Sequence, residues 1–416
     1  MPSVELLPEG SVATTPRART VVWPASPGRG PVMYSDVDPW LTQLGVVPER
    51  AIDLVRLAVG AYITDRLVGR SSASWSRDLE LIVHVRQPDA ILGVVPIIET
   101  TLYWLSGDTW ALRLVEEQQE KAPLLLNTKA PTVNLLSGGV DSLCGAFLSA
   151  PGTVFMGHSD NPSVRQSQNR VRPYLSNMRD PFVYHQVQVG AAANATRERS
   201  TRTRSFMFTA LGIAVAAAGG ANQVTIPENG FTSLNPPLSA NRGGPHSTRS
   251  THPTTFAYIN AMCQGLGFDI SVANPYLDIT KGQLVRMAAD SLGHDVVENA
   301  VPITLSCSKG FGQYFRGGAA NLNCGACIAC MTRRGSILSA GLADRTEYLV
   351  NRLVGTERQR LLDQRRSDIS AVRSAGGWEF DPATLAAMGP FPEGFDMDAA
   401  RALLELGVEE LVRGLP

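Results

Sequence analysis

The stretch Leu135-Leu136-Ser137-Gly138-Gly139-Val140-Asp141-Ser142 constrains the fold more than any other part of this chain. It follows a β-rich run at 133–136 and leads into a stretch with helical spacing at 142–150. It therefore reads as a turn from a strand into a helix. Two successive glycines let the backbone turn tightly and let a ligand approach it closely. The unpaired amides of a helix's first turn, aided by the helix dipole, favour an anion. Ser137 and Ser142 add hydroxyl donors. Asp141 is unusual beside an anion; it suits a helix cap or a ligand for Mg²⁺ carried on phosphates. The pattern is not a Walker loop, because no Gly-Lys-Ser/Thr follows, and Gly-x-Gly-x-x-Gly is absent.

The surrounding sequence extends this reading. Five short β-rich runs (133–136, 153–157, 182–187, 223–227 and 269–273) alternate with helical stretches (142–150, 166–178, 204–218, 254–266 and 282–291). Such alternation gives βαβ units and predicts an α/β fold: an open, five-stranded parallel sheet with helices on both faces. Ligands of these sheets sit beyond the carboxyl ends of the strands. That rule selects the loops starting near Ser137, His158, Glu228 and Asn274. Residues 1–122 read as an α+β extension for partner docking or dimerisation. They hold a Pro/Gly/Arg-rich lead-in with a strand-like 20–23, a helix over 47–68, a strand over 79–85 and a strand–turn–strand over 104–114. Residues 123–340 form the central unit. Residues 341–416 form a helical extension, with helices over 361–372 and 397–411.

Composition narrows the function classes. A chain of 416 residues that is 44% hydrophobic buries a sizeable core, so global disorder is excluded. A formal charge of −1 does not suit bulk nucleic-acid binding. Mean hydropathy is −0.02, and no long apolar run suggests a membrane span. The first residues lack the pattern of a secretory signal, so a cytoplasmic location is expected.

Six cysteines are present: Cys144, Cys263, Cys307, Cys324, Cys327 and Cys330. The last three fall at Cys-x₂-Cys-x₂-Cys spacing, which in a large non-secreted chain points to metal rather than disulfides. With Cys307 they supply four thiolates for a tetrahedral structural zinc site. Gly325 eases the turn between ligands. An Fe–S cluster is the alternative. Cys144 and Cys263 read as buried small hydrophobes.

The Ser-Gly-Gly-Val-Asp-Ser loop resembles that of the PP-loop ATP pyrophosphatases. Other matching points are Arg204-Ser205-Phe206, Pro227-Glu228-Asn229-Gly230, Asn274-Pro275-Tyr276 with Lys281, and Cys330-Met331-Thr332-Arg333-Arg334. Together they make residues 130–340 similar to QueC-type 7-cyano-7-deazaguanine synthases. The resemblance implies that Leu136, Ser137, Gly138, Gly139, Val140, Asp141 and Ser142 hold the pyrophosphate end of ATP, with Mg²⁺. It implies adenylation of a carboxylate and displacement of AMP by a nitrogen nucleophile. Lys281, Asp141 and Arg204 are the candidate catalytic residues. His158, Glu228 and Asn229 are candidates for the nucleotide or purine edge. His246 and His252 are candidates for deprotonating an amine.

The chain departs from ordinary QueC-type enzymes in its long extensions, the wide Cys307–Cys324 spacing and the text of 229–255. These features resemble the long QueC-like proteins of anti-phage operons, the Qat and type IV CBASS systems. That resemblance implies joining of a 7-carboxy-7-deazaguanine-like molecule to the amino terminus of a protein encoded nearby. Three alternatives stay open. One is nitrile synthesis with ammonia, another a tRNA-thiolating enzyme with an Fe–S cluster, and the third a zinc-bearing nucleotide sensor without catalysis.

Overall fold

The computed structural model describes residues 1–23, 28–29, 32–71, 75–117, 130–199, 201–238, 248–307 and 312–416. The chain opens with Ser3–Pro8 (β1), Arg19–Trp23 (β2), Gly28–Arg29 (β3) and Met33–Ser35 (β4). Helices Val37–Gln43 (α1) and Glu49–Leu67 (α2) follow, then Asp78–Val85 (β5), Pro88–Leu92 (α3), Val95–Ser106 (α4) and Thr109–Glu116 (β6). Four of these strands form a sheet in the order β2-β1-β5-β6, with every pairing parallel.

Two local expectations are corrected here. β1 lies in the lead-in that reads as loop. Val4, Leu6 and Leu7 are buried, as in a strand covered on both faces, which shows no alternation. The expected strand–turn–strand over 104–114 is the end of α4 followed by β6. Pro96 sits in the first turn of α4, Ile98, Leu102 and Leu105 fall on its buried face, and Gly107 closes it at φ 72°. A parallel β5–β6 pair needs a crossover, and α3 and α4 supply it.

The central part runs Val133–Leu135 (β7), Val140–Leu148 (α5), Val154–Ser159 (β8), Pro162–Met178 (α6), Val183–Ala191 (β9) and Arg204–Gly219 (α7). It continues through Gln223–Thr225 (β10), Gly230–Leu234 (α8), Pro253–Gly265 (α9), Ser271–Ala273 (β11) and Lys281–Leu292 (α10). All five expected strands are present and pair in parallel, in the order β11-β10-β7-β8-β9. The sheet has seven strands rather than five, because β4 and β3 continue it antiparallel beyond β9. β1 and β2 are thus built into one sheet, and β3 and β4 into the other. Helix α2 packs against α7, β5 and β9, and from Ala51 to Leu67 only Arg66 escapes full burial.

His294–Ala300 (α11) and Ile328–Ser339 (α12) lead to the last helices: Leu349–Arg352 (α13), Gly355–Gln364 (α14), Arg366–Ala375 (α15), Pro382–Met388 (α16) and Met397–Arg413 (α17). The helix expected over 361–372 is divided at Arg365 between α14 and α15. α17 lies on α12, and a Cβ at Gly335 would fall 1.8 Å from the Glu410 carbonyl oxygen. Among the described residues, no helix is long and apolar enough to cross a membrane.

Candidate active site

The loop between β7 and α5 has the geometry that its glycines permit. Gly138 sits at φ 89°, and a Cβ there would lie 3.1 Å from Ser167 Oγ. Gly139 caps α5 with extended backbone. Ser142 Oγ accepts from the Gly138 amide at 3.1 Å, donates to the Gly139 carbonyl at 3.0 Å and lies 3.1 Å from Ser137 Oγ. Helix α6 braces the loop from behind. Ser167 Oγ donates to the Gly138 carbonyl at 2.8 Å. Gln168 Nε2 donates to the carbonyls of Leu136 and His158 at 3.2 and 3.0 Å. Leu136 is fully buried beneath the loop, its amide donating to Met156 at 2.7 Å. Sequence reading missed Ser167 and Gln168, since only the β8–α6 crossover brings them here.

Asp141, in the first turn of α5, pairs with Lys281, the first residue of α10. Glu228 Oε1 lies 3.7 Å from the Lys281 ammonium. Asn229 Nδ2 is 3.4 Å from both Asp141 oxygens and 3.1 Å from Glu228 Oε1. Asn274 holds the Glu228 backbone, donating to its carbonyl at 2.5 Å. Burial opposes the Asp141 charge, but Lys281, Glu228 and Asn229 hold its carboxyl below the usual aspartate range. Burial and the neighbouring Asp141 push Glu228 well above the glutamate range. Burial opposes the Lys281 charge too, but the two acids keep its pKa above the ordinary lysine value. The cluster therefore sets an ammonium between two acids whose affinities for a proton are pushed apart, Asp141 downward and Glu228 upward.

Arg204, at the start of α7, lines the cavity described below. Its Nε donates to His158 Nδ1 at 3.3 Å and lies 3.8 Å from Asp160 Oδ2. Tyr62 of α2 donates to that same oxygen at 3.2 Å. His158 Nε2 is 3.0 Å from the Val189 carbonyl, so Nε2 carries the proton and Nδ1 accepts. Burial and the Arg204 charge depress the imidazole to about 3, leaving it neutral. His158 was expected at the nucleotide edge. It is instead fully buried, with both ring nitrogens engaged, and it stands behind Arg204.

His252, expected as a candidate base, is the N-cap of α9 and accepts from the Thr254 amide at 3.2 Å. It is buried against Trp104 and Phe391, and burial followed by the Arg249 charge lowers it to about 3. His246 lies outside the described residues.

These groups surround two adjoining cavities at the carboxyl ends of β7 and β10. Both are lined by Ser137, Ser142, Pro227 and Glu228. One, of about 510 Å³, is lined further by Arg202, Arg204, Phe208, Ile226 and Arg249. The other, of about 410 Å³, carries Asp141, Lys281, Phe231, Ser306 and the start of α12. Asn229 stands behind Asp141, fully buried.

The start of α12 is fixed by the cysteines. The Sγ atoms of Cys307, Cys324, Cys327 and Cys330 all lie within 4.8 Å of one another. Cys307 and Cys327 are 3.9 Å apart, and Cys324 and Cys330 3.8 Å. A tetrahedral zinc with Zn–S of about 2.3 Å has sulfur–sulfur edges of about 3.8 Å. The four thiols therefore fit a single ion. They leave no room for several irons and their bridging sulfides. Gly325, at φ 81°, makes the turn against Tyr348 and Val350.

With this geometry in view, comparison with known proteins gives a partial likeness. No family model matches the chain. Over 79 residues it is 39% identical to a 7-cyano-7-deazaguanine synthase of Porphyromonas gingivalis, and 38% identical to that of a second strain. The matched stretch is 19% of this chain and 29% of each relative, so the chain spans under a third of the curated relatives it matches. Over that stretch the likeness is to QueC-type enzymes.

Proposed function

We propose that this chain is an ATP-using ligase that activates a 7-deazaguanine carboxylate and passes it to an amine. The observation that carries this reading is the loop at 137–142, with Asp141 paired to Lys281, opening onto both cavities. A carboxylate oxygen is a poor leaving group. When it attacks the α-phosphorus of ATP, pyrophosphate departs and an acyl-adenylate forms. An amine then attacks the acyl carbon, AMP leaves, and an amide results.

The first-turn amides of α5 and the hydroxyls of Ser137 and Ser142 suit the charge gathering on the departing pyrophosphate. Lys281 offers a cation beside Asp141 in the smaller cavity, and Arg204 offers one in the larger. Asp141 and Glu228 offer hard oxygens to Mg²⁺ carried by the nucleotide. A metal held by the four cysteines would have a structural role, with Cys307, Cys324, Cys327 and Cys330 as its ligands beside the start of α12.

In this reading the preferred amine is the amino terminus of a partner protein in an anti-phage system. A protein acceptor needs docking surface, which the extensions on either side of the central sheet offer. A second reading has ammonia as the nucleophile. The amide oxygen then attacks a second ATP, pyrophosphate departs, and loss of AMP with the amide protons leaves a nitrile. The names of the similar P. gingivalis enzymes favour this reading.

The test combines enzyme, ATP, Mg²⁺ and 7-carboxy-7-deazaguanine with ammonia or with the proteins encoded beside this one. Pyrophosphate release with a mass increment on one protein supports conjugation. Free nitrile without an adduct supports the second reading. ATP binding without pyrophosphate release defeats both in favour of a sensor.

A further inference from the structure

Arg249 lines the larger cavity from a built position. Its guanidinium lies 3.8 Å over the Trp104 ring, and Nη1 donates to the Trp104 carbonyl at 3.2 Å. Thr255 Oγ1 donates to the Arg249 carbonyl at 2.5 Å and accepts from Trp104 Nε1 at 2.9 Å. These bonds close a ring that holds the arginine against the last turn of α4. The carbonyls at a helix C-terminus attract a cation, so α4 prepares the position without neutralising it.

The other two arginines of this cavity have acids. Arg204 faces Asp160. Arg202 shares Asp65, Asp108 and Glu198 with Arg70 and Arg77, three acids for three cations. The ionisable groups facing Arg249 are the phenols Tyr103 and Tyr258 and the imidazole of His252, which burial and the arginine itself keep uncharged. Among the described residues it forms no ion pair, and the adjoining stretch 239–247 contains no Asp or Glu. A half-buried, immobilised guanidinium with no protein counter-ion is prepared for a ligand anion.

We propose that the Arg249 end of this cavity is an oxyanion subsite, taking a carboxylate or phosphate group of a ligand bound next to the loop. This deepens the ligase reading and rests on it for the choice of probes. The source of the anion is either the acid substrate or the nucleotide.

The experiment titrates the full chain and its R249M and R249K variants with three probes: MgATP, 7-carboxy-7-deazaguanine and the neutral 7-cyano-7-deazaguanine. Melting curves check that the variants fold, and R249K keeps the charge if R249M does not. Loss of affinity for the acid by about ten-fold or more, with the nitrile unchanged, assigns the subsite to the substrate carboxylate. The same loss for MgATP alone assigns it to a nucleotide phosphate. Equal losses for acid and nitrile, or no loss for either anion, overturn the subsite while leaving the ligase reading intact. A wild-type chain that binds none of the probes overturns both.

Discussion

The carboxylate of Glu410 accepts the backbone amide of Gly282 at 2.9 Å and the Thr280 hydroxyl at 2.5 Å. Thr280 is the N-cap of α10, the helix that presents Lys281 to Asp141. A Cβ at position 282 would fall 2.4 Å from Glu410 Oε1, so glycine is what admits the carboxylate. The last helix thereby reaches the site through an anion placed at a helix start, where the dipole favours it.

Replacing Glu410 with Ala strands the Gly282 amide and the Thr280 hydroxyl. The expected loss is about 1–3 kcal/mol of stability, with slower pyrophosphate release. E410Q keeps an oxygen acceptor and should retain most of both. Chemical denaturation and a pyrophosphate assay on the three proteins decide it; E410A matching wild type in both would remove any role for this contact.

The Asp141–Lys281 pair should behave as a unit. K281M leaves a buried carboxylate without its cation and should lose about 3–5 kcal/mol. Adding D141N to K281M should restore part of that loss, giving a coupling well outside additivity. A double-mutant cycle by urea denaturation measures it. Strictly additive losses would mean the two charges do not support one another.

Glu228 predicts a pH dependence with a definite sign. Its folded pKa stands above the ordinary glutamate value, so the folded chain keeps a proton that the unfolded chain releases. This contribution is fully present below the unfolded pKa and fades as pH rises toward the folded one. E228Q is free of it. Its melting temperature should therefore gain on wild type as pH rises above the ordinary glutamate pKa of about 4.3. A difference, Tm of E228Q minus Tm of wild type, that stays constant or falls as pH rises contradicts the raised Glu228 pKa.

The cysteine cluster should carry one metal ion per chain, and elemental analysis should find zinc. C327S removes a ligand at the cap of α12 and should release the metal and lower the melting temperature. A strong chelator should do the same to wild type. A stable, active, metal-free chain would separate the cysteines from the fold.

Much of the central sheet is legible in the sequence because its signals are local. The β-rich runs, the glycine pair and the cysteine spacing each need only a few neighbouring residues. The supports of the site are not local. Ser167, Gln168, Tyr62 and Glu410 reach it across crossovers or from the extensions, and nothing in their own neighbourhoods marks them. His158 shows the converse. Its place at the end of a strand suggested the ligand edge, but its ring turns into the packed face toward Tyr62 and Phe208. β1 escaped notice because a strand buried on both sides has no polar alternation to reveal it.

Helix α2 has almost no wet face, because one sheet covers it on one flank while α7 and β9 cover the other. A cut just ahead of the loop would strip α2 from α7 and bare apolar surface of α7 to water. The half that carries the loop is therefore not a core to which a module has been appended. Deletion that spares every residue of the loop should still yield insoluble protein, and genetic loss of the leading region should read as loss of the whole.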